Sequence, residues 1–335
     1  MMATRGGVKA GKAFVVITAV DRTKRVLNKV AQRFAQFGSR LTSLGRNMIA
    51  GSIAALTPVG FALNTYMQFD DMMRQVGARS QETGENLKAL REQAKRLGGV
   101  TRFAAREVAS LQVVLATFGF KKVDMVDGAM TKNVLDLASA TGESGDRLED
   151  SKLAAQAVGV AMKVFGVTAK EAADLFVTGV NNSAVNLESL VVAMKYAGPV
   201  AKSLGMSMKE TIKTFANLAE GGISGSMAGT TLRRNLSEAA AKVEELKAAG
   251  IRVEDNDGAL RPIKDIIADI DAAAKAGDLS LIDQANLMKE VFGLRSLAAS
   301  MVLAREESAT ITKAFEDVND TAAETAEKMD EGLGG

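Results

Sequence analysis

The sequence predicts an all-α chain: a multi-helix domain with an extended N-terminal helical arm and one short β-hairpin. Three observations carry this expectation. Apolar residues recur at helical spacing along most of the 335 residues. Short polar or glycine-containing joints cut that pattern into helix-sized lengths. Aromatic residues make up only 4% of the chain and tryptophan is absent, which leaves the core to alanine, leucine and pliable methionine.

Taken in order, Asp21 caps a first expected helix that runs to about Leu44, and a second covers the uncharged stretch from Asn47 to Phe69. A third extends from about Tyr66 to Leu97, with Phe69, Met72, Met73 and Val76 at helical spacing, until Gly98-Gly99 stops it. Shorter helices follow over Arg102 to Phe118, Val123 to Ala140, Leu148 to Phe165, Ala169 to Val180, Leu187 to Leu204 and Met208 to Leu218. Ser226 to Ala248 reads as a longer amphipathic helix. Lys264 to Ala276, Leu281 to Val291, Leu294 to Ala304 and a frayed acidic end complete the series. The β-rich run Phe14-Val15-Val16-Ile17 marks a possible strand over Ala13 to Ala19. Domain organisation follows from composition: a basic arm with its uncharged helix over 1–65, a helical core over 66–304, and an acidic helical tail over 305–335.

Composition removes whole classes of function. There are 0 cysteines and 0 histidines, which excludes disulfides, thiolate zinc sites and every mechanism that uses imidazole. Carboxylate chemistry survives that filter. Lysine plus arginine (42) nearly cancels aspartate plus glutamate (40), so no overall field recommends sequence-specific nucleic acid as a partner. Locally the balance is polar: ten basic residues against Asp21 alone between Met1 and Ala50, and three basic against nine acidic from Ala304 to Gly335. Such ends are solvated faces, or they favour head-to-tail contact between copies or an anionic partner at the front.

The start carries no secretory signal, since the apolar run Phe14 to Val20 is short and Asp21 follows it, so synthesis in the cytosol is expected. The apolar heart of the uncharged segment, Met48 to Leu63, falls short of the ~20 continuous residues a membrane span needs, and Pro58 interrupts it. It reads as a buried or partner-covered helix, with a conditional membrane helix as the rival.

Several polar features invite a chemical reading. Thr168 with Glu171 and Ser207 with Glu210 each place a hydroxyl three residues before a glutamate, the signature of a helix cap and not of a catalytic acid. Alternating apolar residues around Asp257-Gly258, within Ile251 to Pro262, predict the hairpin. Asp255 and Asp257 resemble a calcium loop, but no register supplies both its glycine and its final glutamate. The stretch Gly221 to Thr230 resembles a phosphate-cradling loop without the lysine such loops require. Its other reading is a turn into a helix whose Gly225 and Gly229 lie close against a neighbour. Glu143 with Asp146, or Glu306 with Glu307, are the carboxylate pairs a glycosidase-like mechanism would use, though charged and small polar neighbours argue for solvated helix ends. No catalytic, cofactor or metal residues are therefore assigned.

The order of certain segments resembles the core domain of bacteriophage tail tape-measure (minor tail) proteins over about two hundred residues. The runs that carry the resemblance begin with Phe69-Asp70-Asp71-Met72-Met73-Arg74-Gln75-Val76 and Gly98-Gly99-Val100-Thr101-Arg102-Phe103-Ala104-Ala105-Arg106-Glu107-Val108-Ala109. Leu135 to Ala140 and Tyr196-Ala197-Gly198-Pro199 through Gly205 come next. The most specific runs are Ala228-Gly229-Thr230-Thr231-Leu232-Arg233, Ala249-Gly250-Ile251 and Val291-Phe292-Gly293. The resemblance implies a structural protein of the tail lumen that sets tail-tube length, scaffolds tube assembly and leaves ahead of the DNA at infection. The implied partners are further copies of the chain on the tail axis, the tail tube protein, tail assembly chaperones, tail-tip or baseplate proteins and, on ejection, the host membrane. That family usually continues well beyond this domain, so the chain is read as a fragment. A membrane-active helical protein and a cell-wall-degrading tail enzyme are the alternatives of other classes.

Overall fold

The computed structural model describes residues 56–142, 145–256, 258–305 and 308–331, with side chains described from Asn64 to Met329 apart from the same breaks. The chain divides into two units, Met1–Leu63 and Asn64–Gly335, and the second holds nearly all of the described residues. The helices expected over Asp21 to Leu44 and in the first part of Asn47 to Phe69, like the strand at Ala13 to Ala19, lie outside the described residues.

Among the described residues helix accounts for 78% and no strand occurs, which makes the second unit all-α. The described helices are α1 (Leu56–Ser80), α2 (Gly84–Val100), α3 (Ala105–Thr117), α4 (Met130–Thr141), α5 (Arg147–Phe165), α6 (Ala169–Asn181), α7 (Leu187–Ser203) and α8 (Met208–Glu220). They continue with α9 (Gly225–Ala241), α10 (Val243–Ala248), α11 (Ile263–Ala276), α12 (Leu281–Phe292), α13 (Leu297–Leu303), α14 (Ala309–Glu316) and α15 (Thr321–Glu331). None is a rod that stands alone. The core runs through nearly all of them, from Phe69 and Met73 of α1 to Ala322 of α15.

Three expected helices are broken in two, each for a local reason. The span Tyr66 to Leu97 folds back at Ser80–Thr83, where Gln81 takes φ 59° and Gly84 φ 56°. Ser80 Oγ donates to Val76 O, which closes α1. The reversal puts Phe69, Met73 and Val76 into the same core as Leu90, Ala94 and Leu97. These apolar residues on the two sides of the fold-back are therefore buried against the same core within one chain. Across the fold-back, Arg91 donates to Asp70 at 2.7 Å and stacks over the Phe69 ring at 5.6 Å.

Between Val123 and Ala140 the break is a single π-helical turn, Val123–Asp127, in which the Gly128 amide reaches back to Val123 O at 2.8 Å. A Cβ at Gly128 would lie 2.7 Å from Asp124 O, so only glycine closes this turn. The third break, at Lys242, separates α9 from α10. Its ammonium caps another helix, donating to Glu290 O (2.7 Å) and Val291 O (2.6 Å) in the last turn of α12.

The hairpin expected within Ile251 to Pro262 is reduced to one isolated antiparallel bridge, Glu254 with Leu260. The bonds Asp255 N to Ala259 O and Arg261 N to Val253 O, both 2.9 Å, flank it. Strands do not develop because Ile251, Val253 and Leu260 are buried in the helical core. Leu260 also donates its amide to Leu204 O at the end of α7, and Pro262 has no amide with which to extend a ladder. The segment expected as a frayed acidic end forms α14 and α15, whose Ile311, Phe315, Ala322 and Ala326 are buried.

Candidate functional site

The most extensive helix pair in the unit is α7 with α9. Gly225 faces Ser189, and four residues on Gly229 faces Ala193, so the two helices run in the same direction with α8 returning between them. A Cβ at Gly229 would stand 2.5 Å from Ala193 O and 2.8 Å from Tyr196 Cβ. The backbones therefore approach to a distance that no side chain at 229 permits. Tyr196 lies over this crossing and remains 45% exposed.

The rest of the glycine stretch is equally committed to packing and chain reversal. Gly221 abuts Val302, where a Cβ would come within 2.5 Å of Val302 Cγ2. The amides of Gly221, Gly222 and Ile223 donate to Leu218 O and Ala219 O in the last turn of α8. Amides bound to a helix end cannot cradle a phosphate. Gly225, at φ 56°, starts α9 and lies less close to its neighbour than Gly229 does, with Ser189 Oγ 3.9 Å from its missing Cβ. Behind this turn lies a cleft of about 160 Å³ lined by Asn217, Glu220, Lys264, Val302, Arg305 and Ser308. That is well below the size of ordinary small-molecule sites, and its lining mixes both charges.

The capping glutamates stand where the sequence puts them. Ser207 and Glu210 form the full reciprocal exchange, Glu210 N to Ser207 Oγ at 3.1 Å and Ser207 N to Glu210 Oε2 at 2.8 Å. At α6 only the hydroxyl half is seen, Glu171 N to Thr168 Oγ1 at 3.2 Å. Asp146, a candidate for one of the carboxylate pairs, caps α5 by accepting from Leu148 N at 2.9 Å. Its partner Glu143, and both Glu306 and Glu307, lie outside the described residues, as does Asp257. Asp255 Oδ1 accepts from Ala259 N at 2.9 Å and so closes its own turn. Among the described residues no group of three or more acids is placed to hold a metal ion, and no helix is long and apolar enough to cross a membrane.

Two ionic arrangements have no counterpart in the sequence reading. In the first, Asp70 joins Arg74 (2.8 Å) and Arg91 (2.7 Å). Burial opposes ionisation of Asp70, but hydrogen bonds and charge from Arg91 and Arg74 outweigh it and hold the carboxyl below its ordinary value. In the second, Lys170 binds Asp174 and Asp320, each at 3.0 Å, and these bonds raise its pKa above the ordinary lysine value. Asp174 is buried within Ala172-Ala173-Asp174-Leu175-Phe176-Val177. An acid inside an apolar run is the signal that could have exposed it, whereas nothing near Asp320 names Lys170 as its partner.

Comparisons with known proteins relate this helical chain to phage tail proteins. The model of the phage-related minor tail protein family matches residues 91–293. That span includes the α7–α9 crossing and the Gly221 turn. The tape measure protein of Pneumococcus phage Dp-1 is 32% identical over 94% of the chain, which corresponds to 27% of the relative. The probable tape measure protein of Escherichia phage P2 is 28% identical over 95% of the chain and 40% of its own length. The chain thus spans between about a quarter and two fifths of the length of these curated relatives. No solved structure matches it. With a match covering more than half its length, the chain belongs to the phage-related minor tail protein family, that of the tape-measure proteins of bacteriophage tails.

Proposed function

We propose that this chain is the folded core of a tape-measure protein, a structural component of the tail lumen that sets tail-tube length and has no catalytic role. The observation that carries the reading is the alignment with two tape measure proteins along nearly the whole chain. The fold supports a division of labour. A helix advances ~1.5 Å per residue, so an extended helical rod converts residue count directly into length. Among the described residues no helix exceeds 25 residues, and the helices pack on one another, so this unit acts as a compact station on the ruler and not as its graduated part. Its partners in this reading are copies of itself on the tail axis, the tube protein, the tail assembly chaperones and the tail-tip or baseplate proteins. It is made in the host cytoplasm and ejected ahead of the genome, when it meets the host membrane.

Electron microscopy of tails assembled with shortened and lengthened versions of the parental protein tests the reading. Tail length should follow residue number at about 1.5 Å per residue when the change lies outside the core. Tails of constant length would remove the ruler function, although family membership would stand.

A further inference from the structure

Two faces of the unit carry opposite charge, on pairs of elements that share no extensive contact. The first flanks the α7–α9 crossing. Because Gly229 brings the backbones together, Tyr196 is lifted to the rim, and Thr230 and Arg233 follow on the exposed edge of α9. Arg233 lies one helical turn beyond Gly229 and is exposed. Lys195 and Lys202, seven residues apart, are exposed on the side of α7 turned toward α5, across the exposed surface of α7 from Tyr196. Among the described residues Lys202 and Arg233 have no ion-pair partner, and Lys195 reaches only the neutral Gln156. The acid of this face, Glu188, lies in the first turn of α7, where it complements the helix dipole.

The second face is the outer side of α14 and α15. Glu316, Asp317, Glu324 and Glu327 are exposed there and have no ion pair among the described residues. Lys313 and Lys328 leave this segment net acidic. The inner side is fixed by buried Ala322 and Ala326 and by the Lys170 and Asp174 contacts. The main neighbours of α15 are α4 and α6, not α7 or α9. Each face is therefore held in place by its own buried contacts, and the acidic one cannot fold over to neutralise the basic one within the same molecule.

We propose that the Tyr196–Arg233 face of one copy receives the Glu324–Glu327 face of the next, a head-to-tail contact between copies of this chain. This rests on the proposed association of copies on the tail axis, and it names the surfaces by which they associate. A contact between two different patches is heterologous: repeated with a rotation it closes into a ring, and without closure it propagates along an axis. Charge complementarity supplies register and partner choice, with Tyr196 and the half-exposed Met329 contributing apolar area at the two rims.

The test uses the full 335-residue chain in sedimentation velocity, with two double variants. Lys202→Glu with Arg233→Glu makes both faces acidic, and Glu324→Lys with Glu327→Lys makes both basic. The wild type should associate, less so as salt rises toward ~1 M, where screening reaches about 3 Å. Each variant alone should weaken association at least about tenfold, and an equimolar mixture of the two should recover it, because acidic faces then meet basic ones. Recovery on mixing also shows that both variants are folded. If either variant associates like the wild type, or the mixture stays apart, the faces are wrongly assigned although copies still associate. A wild type that remains a single copy at every salt concentration overturns both the faces and the association on which they rest.

Discussion

The carboxylate of Asp174, midway along α6, accepts the backbone amide of Ala322 at 2.9 Å across 148 residues of sequence. One buried acid thus caps the first turn of α15 from another helix, while Lys170 ties the same carboxylate to Asp320 just before that turn. The side chains that α15 buries are mainly alanines, Ala322 and Ala326, so apolar contact alone holds it weakly. Replacing Asp174 by alanine should cost about 1–3 kcal/mol through the orphaned amide and lost ion pair. Amide hydrogen exchange should rise selectively in residues 321–331. Unchanged protection there would show that the cap does not hold α15.

Glycine substitutions separate close packing from mere tolerance. At Gly229 an added methyl meets Ala193 O and Tyr196, so Gly229→Ala should destabilise by about 1–3 kcal/mol. Gly99 lies near the end of α2 with nothing within 4 Å of a built Cβ. Gly99→Ala should be neutral or stabilise by up to about 1 kcal/mol, because alanine restricts the unfolded chain. Thermal melts of the pair should therefore move in opposite directions, or the first down and the second not at all. Equal losses would refute the close-approach account of the α7–α9 crossing.

Asp70 gives the fold-back of α1 onto α2 a defined acid dependence. Its folded pKa lies below the ordinary 3.8, so its contribution is fully present above that value and drains away as pH falls through the lower, folded one. Comparison of urea midpoints for the wild type and Asp70→Asn should show a gap at pH 7 that narrows below about pH 4. A gap independent of pH would mean that geometry and not charge holds this joint.

Lys242 connects the α9–α10 break to the far end of α12. Its ammonium serves the carbonyls of Glu290 and Val291 just before Gly293, which turns the chain at φ 79°. Lys242→Met keeps the apolar stem and removes the donor, with an expected loss of about 1–2 kcal/mol. Lys242→Arg should recover part of it. A methionine variant as stable as the wild type would leave the break at 242 without a cause.

Much of the helical architecture was legible because it is written locally. The Ser207–Glu210 exchange, the stop at Gly166 with φ 74°, and the apolar spacing of Ile263, Ile266, Ile267 and Ile270 all depend on residues within one or two turns of each other. The absence of cysteine and histidine likewise needed no tertiary information to bound the chemistry. The breaks at Gln81, Gly128 and Lys242 were not legible, since each interrupts an unbroken helical period. A contact elsewhere decides each of them: burial of α1 against the core beside α2, the π-turn that carries Met125 O to Gln93, and the carbonyls of α12. The hairpin failed for the same reason, because Ile251, Val253 and Leu260 are worth more in the helical core than in a two-strand ladder. By itself the sequence determined the helical class, most helix positions and the exclusion of imidazole and thiol chemistry, all through short-range periodicity and residue type. Only the tertiary structure decided which polar groups meet across the chain, as Asp174 does with Ala322, because a buried hydrogen bond depends on where two distant backbones come to lie and not on any spacing between them.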